Sequence, residues 1–322
     1  MFRDFNIAFA RKHIKLRQIR PLNFQRQGVA YLLSKSARYI PHAAGNLELD
    51  VTPVVEYGER IIREIKSGAD KLTPEQLTRM ALHKSLSAFY LKAISHVIYN
   101  VPCLNGFLEW TPLRNGGVFY EAEDINLGFT VHTKRGVMTP GMRNAHKKDI
   151  FTVANEMREL TRKARRTDMN DLYRRCARAY LGLAARELDP SSFVIGFLYL
   201  KSLLWPEPID AEIAEVPVEQ RLQPEEVVGF TSIVANIGSA VEGWQTVTVV
   251  PHPSVFMWGI GYTRVLPRYI NGHLVPRHCM NMCVTFDHRA LDGGDIFPFA
   301  DHMRNYVSNP EKIFMWKPGD PI

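Results

Sequence analysis

The spacing of hydrophobic residues along the chain predicts helices and strands in alternation. Helical spacing predicts helices over residues 24–37, 85–99, 148–166 and 295–307. Alternating or β-branched segments predict strands over residues 46–51, 117–120, 125–132 and 137–140, and several more between about 221 and 286. Thr52 is expected to cap a further helix that has Pro53 in its first turn. Because the two kinds of element are interleaved, we expect a single mixed α/β domain.

Residues 167–220 differ in composition from the rest of the chain. They begin with an arginine-rich helical segment, continue with an aromatic and aliphatic run over residues 193–205, and end with prolines and acidic residues. Helices are expected here, because a loop of this length would be unusual in a compact domain. The apolar run is shorter than the roughly 20 residues that cross a bilayer, so no transmembrane segment is expected. We expect this run to lie in the core, with a peripheral membrane contact as the alternative.

The positive charge of the chain is unevenly distributed. The net charge is +7, and much of the excess lies in residues 1–26 and 158–178. No zinc-finger spacing, RNA-binding aromatic motif or helix-turn-helix accompanies it, so no nucleic-acid partner is expected. Two explanations of this positive charge stay open. The basic residues form faces that are simply exposed to solvent, or they attract a phosphate-bearing small molecule or an anionic partner surface.

The four cysteines form no C-x-x-C pair. Cys279 and Cys283 lie about 13 Å apart along one predicted strand, which is too far for a disulfide and unsuited to binding one metal ion. We therefore expect reduced thiols in a cytoplasmic protein that holds no metal. Residues 1–20 are basic but lack the continuous apolar core of a signal peptide.

One histidine is placed for chemistry. His288, Asp292 and Gly293 form a His-x-x-x-Asp-Gly motif that follows the alternating strand of residues 280–286 and precedes a Gly-Gly turn and a helix. A histidine that leaves a strand end at a glycine-rich turn can face a cleft. A general base and a structural histidine both fit this motif when it is taken alone.

Further motifs surround this histidine and resemble one family along most of the chain. They are Ile-Pro-His-Ala-Ala (40–44), Leu-Glu-Leu-Asp-Val-Thr (47–52), Ser-Ala-Phe-Tyr-Leu-Lys-Ala (87–93), Val-Pro-Cys-Leu-Asn (101–105), Asp-Ile-Asn-Leu-Gly (124–128), Gly-Val-Met-Thr-Pro-Gly-Met-Arg-Asn (136–144), Arg-Leu-Gln-Pro-Glu-Glu (221–226), Asn-Ile-Gly (236–238), Thr-Phe-Asp-His-Arg-Ala-Leu-Asp-Gly (285–293) and Asn-Pro-Glu (309–311). Together they resemble the catalytic domain of the dihydrolipoamide acyltransferases of 2-oxoacid dehydrogenase complexes, over residues 17–166 and 221–315. The resemblance implies a chloramphenicol-acetyltransferase-like fold. This is a two-layer α/β sandwich with a mixed sheet packed by helices, forming trimers or assemblies of trimers with active sites between subunits.

The resemblance also implies a reaction and a set of roles. An acyl group would move between a thioester and an acceptor thiol or other nucleophile, with coenzyme A entering as acyl-CoA. His288 would be the general base, while Asp292, ion-paired with Arg26, and Gly293 would keep its loop oriented. The implied organisation is a basic extension at residues 1–20 and a catalytic domain at 21–322, with a helical insertion at about 167–220.

Three departures from the family pattern limit this interpretation. Ala235 stands before Asn236 and Gly238, where the family has a hydroxyl residue that stabilises the tetrahedral oxyanion. Ser232, Ser239 or Asn236 are the candidates to replace it. The second departure is the insertion, which we expect to pack over the cleft or to add to a subunit contact.

The third departure is that no lipoyl or subunit-binding domain is recognised, so a separate chain would supply the lipoyl group. The partners would then be a lipoyl-domain protein or dehydrogenase subunits. Three functions stay open: an active acyltransferase, a catalytically weak or inactive scaffold that forms an oligomeric core, and a subunit that uses a lipoyl domain from elsewhere.

Overall fold

The computed structural model describes residues 5–68, 71–111, 116–187, 196–197, 199–201, 203–205, 209–238, 242–245 and 247–322. Its helices are α1 (Phe5–His13), α2 (Phe24–Tyr39), α3 (Thr52–Ser67), α4 (Pro74–Lys84), α5 (Leu86–Asn100), α6 (Ile150–Arg165), α7 (Met169–Glu187), α8 (Ala211–Ala214), α9 (Gly293–Ser308) and α10 (Glu311–Phe314), and parts of 196–204 are also helical. Its strands are β1 (His42–Asp50), β2 (Gly106–Glu109), β3 (Val118–Glu121), β4 (Leu127–Phe129), β5 (Val131–Thr133), β6 (Gly136–Met138), β7 (Gly141–Met142), β8 (Ser232–Asn236), β9 (Phe256–Ile260), β10 (Arg264–Ile270) and β11 (His273–Asp287).

The main sheet is mixed, as the sequence predicts. Its strand order is β1-β11-β9-β8-β4-β7, in which β8 runs parallel to β4 and β9 while the other pairs are antiparallel. Strand β10 forms a hairpin with the first half of the long strand β11. Two small ribbons, β2-β3 and β5-β6, lie outside this sheet.

One layer of helices covers one face of the sheet. Strand β9 presents Phe256, Trp258 and Ile260 to this layer, and the Trp258 ring meets Phe299 of α9 edge-on at 5.6 Å between centroids. Helix α5 lies in the middle of the layer, and each of its residues from Ala88 to Ile98 is buried. A helix that is apolar on nearly every side belongs inside a domain, so α5 is the central helix of the core.

Most predicted elements form, but some boundaries differ. Thr52 is the first residue of α3 and not its cap, because its hydroxyl accepts the backbone N–H of His278 at 2.8 Å. The strand predicted over 125–132 divides into β4 and β5, and the ribbon partner of β5 is β6. Helices α4 and α10 were not predicted.

Residues 167–220 contain the expected helices, but the prediction for their apolar run is wrong. Helix α7 packs against α2 and buries Met169 and Leu172. Five described residues of the run are instead more than half exposed in the single chain, namely Phe197, Leu200, Leu203, Leu204 and Trp205, while Tyr199 is partly buried. Residues 193–195, 198 and 202 lie outside the described residues. No helix among the described residues is both long and apolar enough to span a membrane.

Candidate active site

The candidate base lies at the end of the longest strand. His288 follows the last residue of β11, and its backbone N–H donates to the carbonyl of Pro41 at 3.1 Å. Its ring Nδ1 lies 3.0 Å from the carbonyl oxygen of Leu291, which can only accept, so Nδ1 carries the proton. Nε2 then has a free lone pair on an exposed side chain. This is the tautomer that a general base needs.

A buried ion pair fixes the turn that carries His288. The carboxylate of Asp287 is 1% exposed and binds the guanidinium of Arg289 through two nitrogens, with Nη2 at 2.6 Å from Oδ2 and Nε at 3.0 Å from Oδ1. It also accepts the backbone N–H of Arg289 at 3.0 Å. Sequence reasoning missed this pair. The signal was local: an acid and an arginine on either side of the histidine.

His42 supports the same turn from β1. It pairs with Asp287 in the sheet register, and its Nε2 lies 3.4 Å from the Ser36 hydroxyl of α2. Burial lowers the pKa of His42. The negative charge of Asp287 opposes this shift, and the positive charge of Arg289 adds a smaller lowering. Because the Ser36 hydroxyl donates to the carbonyl of Val250, the ring is the donor to Ser36, and this contact joins α2 to β1.

Asp292 caps a helix and does not form the predicted ion pair. Its Oδ1 accepts the backbone N–H groups of Gly294 at 2.7 Å and Asp295 at 3.3 Å, and Asp295 returns the contact to the N–H of Asp292. No ion pair among the described residues joins Asp292 to Arg26, whose side chain is exposed on α2. The carboxylate instead accepts hydrogen bonds from the free backbone N–H groups at the start of the 16-residue helix α9. A Cβ at Gly293 would lie 3.0 Å from the Phe297 ring.

The oxyanion region lies at the end of β8. Ala235 is 5% exposed, and the amide nitrogen of Asn236 donates to the Ser87 hydroxyl of α5 at 2.9 Å. Gly238 must be glycine, because a Cβ there would overlap the backbone of Gly261. Ser232 cannot replace the missing hydroxyl, since it is fully buried and bonded to the Trp258 indole and the Phe256 carbonyl. Ser239 lies outside the described residues.

The two halves of the candidate site are far apart in one chain. The sheet register places Ala235 beside Gly259, and Gly259 beside Cys283 of β11. His288 is five residues beyond Cys283, about 17 Å along the strand, and β8 is two strand spacings, roughly 10 Å, from β11. A base must lie within hydrogen-bonding distance of the proton that it takes. One chain therefore does not bring His288 together with Ala235, Asn236 and Gly238.

A cleft of about 410 Å³ lies beside Asn236. It is bounded by the end of β8, by β4 and β5, and by one side each of α5 and α6. Its lining combines apolar side chains with the Ser87 hydroxyl, the Asn236 amide and the guanidinium of Arg165. Among the described residues, no group of three or more His, Cys, Asp or Glu could hold a metal ion.

Comparison with known proteins places this geometry in context. The chain matches the family described as 2-oxoacid dehydrogenases acyltransferase (catalytic domain) over residues 15–172 and 210–315. The acetyltransferase component of the pyruvate dehydrogenase complex of Staphylococcus aureus (strain N315) is 22% identical over 290 residues, 90% of this chain and 51% of the relative. The corresponding Staphylococcus epidermidis (strain ATCC 12228) component has the same identity and coverage. The chain thus spans about half the length of the curated relatives that it matches.

Solved structures show the same fold. The structure of a probable dihydrolipoamide acetyltransferase from Listeria monocytogenes aligns with a TM-score of 0.62 and 21% identity over 95% of this chain and 97% of that one. The Azotobacter vinelandii dihydrolipoamide acetyltransferase aligns with a TM-score of 0.65 and 17% identity over 97% and 98%. These likenesses confirm the predicted fold, a mixed sheet packed by helices.

Proposed function

Because the chain belongs to the family of 2-oxoacid dehydrogenase acyltransferase catalytic domains, we propose that it transfers an acyl group between a thioester and an acceptor thiol. The observation that carries the proposal is the tautomer of His288. Its Nδ1 proton is bound by the Leu291 carbonyl, and its Nε2 lone pair is free on an exposed side chain. A histidine held in this way is suited to removing a proton from a thiol.

The proposed reaction uses His288 twice. Nε2 takes the proton of the acceptor thiol, and the resulting thiolate attacks the carbonyl carbon of the thioester. The tetrahedral intermediate then collapses, its C–S bond to the leaving thiol breaks, and the imidazolium returns the proton to that sulfur. The Asp292 cap and the Asp287–Arg289 pair hold the two sides of the turn, so the ring keeps its orientation through both steps.

Ala235 favours a second candidate, a weakly active or inactive scaffold of the same family. It offers no hydroxyl to the oxyanion, and the loss of one such donor slows an enzyme by roughly 10²–10³-fold. We therefore expect slow turnover if the chain is active. The ordered geometry around His288 supports activity, while the side chain of Ala235 supports the scaffold.

We also propose that the site forms between copies of the chain, in a homotrimer or an assembly of trimers. The distance between His288 and Asn236 along the sheet supports this, because two chains can supply the two halves that one chain keeps apart. Coenzyme A would enter as acyl-CoA, and a lipoyl group, if used, would come from a separate chain or from dehydrogenase partners. The four cysteines are free, and we propose a cytoplasmic location.

The test is acyl transfer from acetyl-CoA to dihydrolipoamide, followed by mass spectrometry of the acetylated product. His288→Ala should lower kcat by about 10²–10⁴-fold, because the thiol loses its base. His13→Ala removes an exposed histidine from the end of α1 and should leave kcat unchanged within about twofold. Equal rates for the wild type and His288→Ala would exclude the acyltransferase proposal. If the wild type transfers acetyl groups no faster than the uncatalysed background while it remains an intact oligomer, the result would favour the scaffold.

A further inference from the structure

Two segments beside the start of α2 expose apolar side chains in the single chain. The first, residues 14–22, leads from α1 into α2. Its exposed apolar residues are Ile14, Leu16, Ile19 and Leu22. The second is the run from Phe197 to Trp205, in which the Trp205 side chain is 71% exposed. Clusters of exposed apolar residues commonly mark a contact surface.

One glutamine joins the two segments. The side-chain nitrogen of Gln27 donates to the carbonyl of Leu22 at 2.6 Å, and its side-chain oxygen lies 3.5 Å from the ammonium nitrogen of Lys201. Gln27 lies in the first turn of α2, so both segments meet at the start of this helix. The described residues of 14–22 and 197–205 together are called the apolar–basic surface.

The first segment of this surface is strongly basic. Residues 5–47, which include it, contain eight Lys and Arg residues and no Asp or Glu. Three of the eight are exposed within the segment and form no ion pair among the described residues: Lys15, Arg17 and Arg20. Lys201 adds a fourth charge from the second segment. Because basic and apolar residues alternate here, a partner must offer both negative charge and an apolar phase.

An anionic phospholipid bilayer offers both. Nucleic acid offers phosphate charge but no apolar phase, so the exposed Leu, Ile and Trp side chains would stay in water. An isologous contact between two copies of the chain would bury the apolar side chains but bring their positive charges together. Residues 173–209 also lie outside the family match, so contacts that family members share do not account for the exposed run.

We infer that the apolar–basic surface attaches the protein to an anionic phospholipid bilayer. Trp205 and its apolar neighbours insert at the level of the head groups, where tryptophan is enriched, while Lys15 and Arg17 bind the lipid phosphates. The attachment is interfacial, and no helix in the described part of the chain is long and apolar enough to span a membrane. The inference goes beyond the proposed acyl transfer and does not depend on it.

The charge is tested by sedimenting the full chain with vesicles of phosphatidylcholine alone, or of equal parts phosphatidylcholine and phosphatidylglycerol. The anionic vesicles should bind at least about 10-fold more tightly, and raised salt should weaken this binding. Lys15→Gln combined with Arg17→Gln should weaken it by about 10- to 30-fold, because two charges are lost near the lipid surface. Arg63→Gln combined with Lys66→Gln removes two charges from exposed positions of α3 and should leave binding within about twofold.

The apolar contact is tested at Trp205. Trp205→Ser should weaken binding to the anionic vesicles by about 5- to 20-fold, because a large apolar side chain no longer leaves water. Trp205→Phe keeps an apolar ring and should bind within about threefold of the wild type. The tryptophan emission of the wild type should shift to the blue on binding, and Trp205→Phe should lose this shift. Leu77→Ser removes an exposed apolar side chain from α4 and should change binding by no more than about twofold.

Four results would overturn the inference. The first is no binding of the wild type to either kind of vesicle. The second is binding that neither the double charge variant nor Trp205→Ser weakens. A smaller oligomer for Trp205→Ser in light scattering, without vesicle binding by the wild type, would assign the surface to a second copy, and binding of a DNA duplex in place of vesicles would assign it to nucleic acid. None of these measurements involves acyl transfer, so the proposed function stands or falls separately.

Discussion

At the scale of single residues, Ala235 is the position where one atom is expected to change the rate most. Ala235→Ser restores a hydroxyl before Asn236, and its neighbour in the sheet, Gly259, carries no side chain. We expect kcat for acetyl transfer to rise about tenfold or more, because one oxyanion donor is worth roughly 10²–10³-fold.

The control for this prediction is Ala235→Cys, which has nearly the same shape and a much weaker donor. A gain specific to serine would place residue 235 next to the reacting carbonyl. Equal rates for serine, cysteine and alanine would show that it faces elsewhere and would strengthen the scaffold interpretation.

The sequence predicts the residues of the candidate site better than it predicts their contacts. Asp292 lies three residues before Asp295, a spacing typical of a helix start, and the structure forms a capping box there. Its ion pair with Arg26 depended on how α2 docks, a long-range arrangement that no local pattern determines. Gly238 shows the same limit: its requirement comes from the backbone of Gly261, which is distant in sequence.

At the scale of elements, prediction succeeds where burial is one-sided or complete. The alternation before His288 predicts β11, whose register on β1 and β9 puts Phe286 and Met282 into the core. Helix α4 was missed although Thr73 and Gln76 form a capping box, because its apolar positions are few and partly exposed. The core prediction for 193–205 failed because it assumed that an apolar run is covered by its own chain.

One buried arginine ties α7 to the segment that follows it. Arg221 is 6% exposed, donates to the carbonyls of Ile213 and Val216, and lies 3.4 Å from the Asp171 carboxylate of α7. Arg221→Met removes the donor to the Val216 carbonyl and one of the two arginine partners of Asp171, the other being Arg175, and should lower the free energy of unfolding by about 2–4 kcal/mol. Urea denaturation measures the loss, and trypsin should cut within α7 sooner.

Arg178→Met provides the matched control for this element. Arg178 is exposed on the same helix, so its loss should change stability by no more than about 0.5 kcal/mol. Similar stability of the two variants would mean that α7 is held by its packing on α2 and not by Arg221.

At the scale of the whole molecule, the exposed apolar residues of the β10–β11 hairpin are consistent with an assembly. Tyr269 is 78% exposed, and Val265 and Leu274 are 57% and 60% exposed in the single chain. Apolar patches of this kind on a folded chain commonly mark contacts with other proteins. A trimer of this 36.8 kDa chain would have a mass of about 110 kDa, which light scattering measures directly.

Complementation tests whether two chains share one site. His288→Ala removes the base and Asn236→Leu removes the amide beside Ala235, so each variant alone should be nearly inactive. In trimers assembled at random from equal amounts of the two, about one site in four combines an intact His288 with an intact Asn236 of the neighbour. Co-expression should therefore recover about a quarter of wild-type activity, whereas mixing preformed oligomers should recover none. A site contained within one chain predicts no recovery in either case, because every chain in the mixture would carry one defective half.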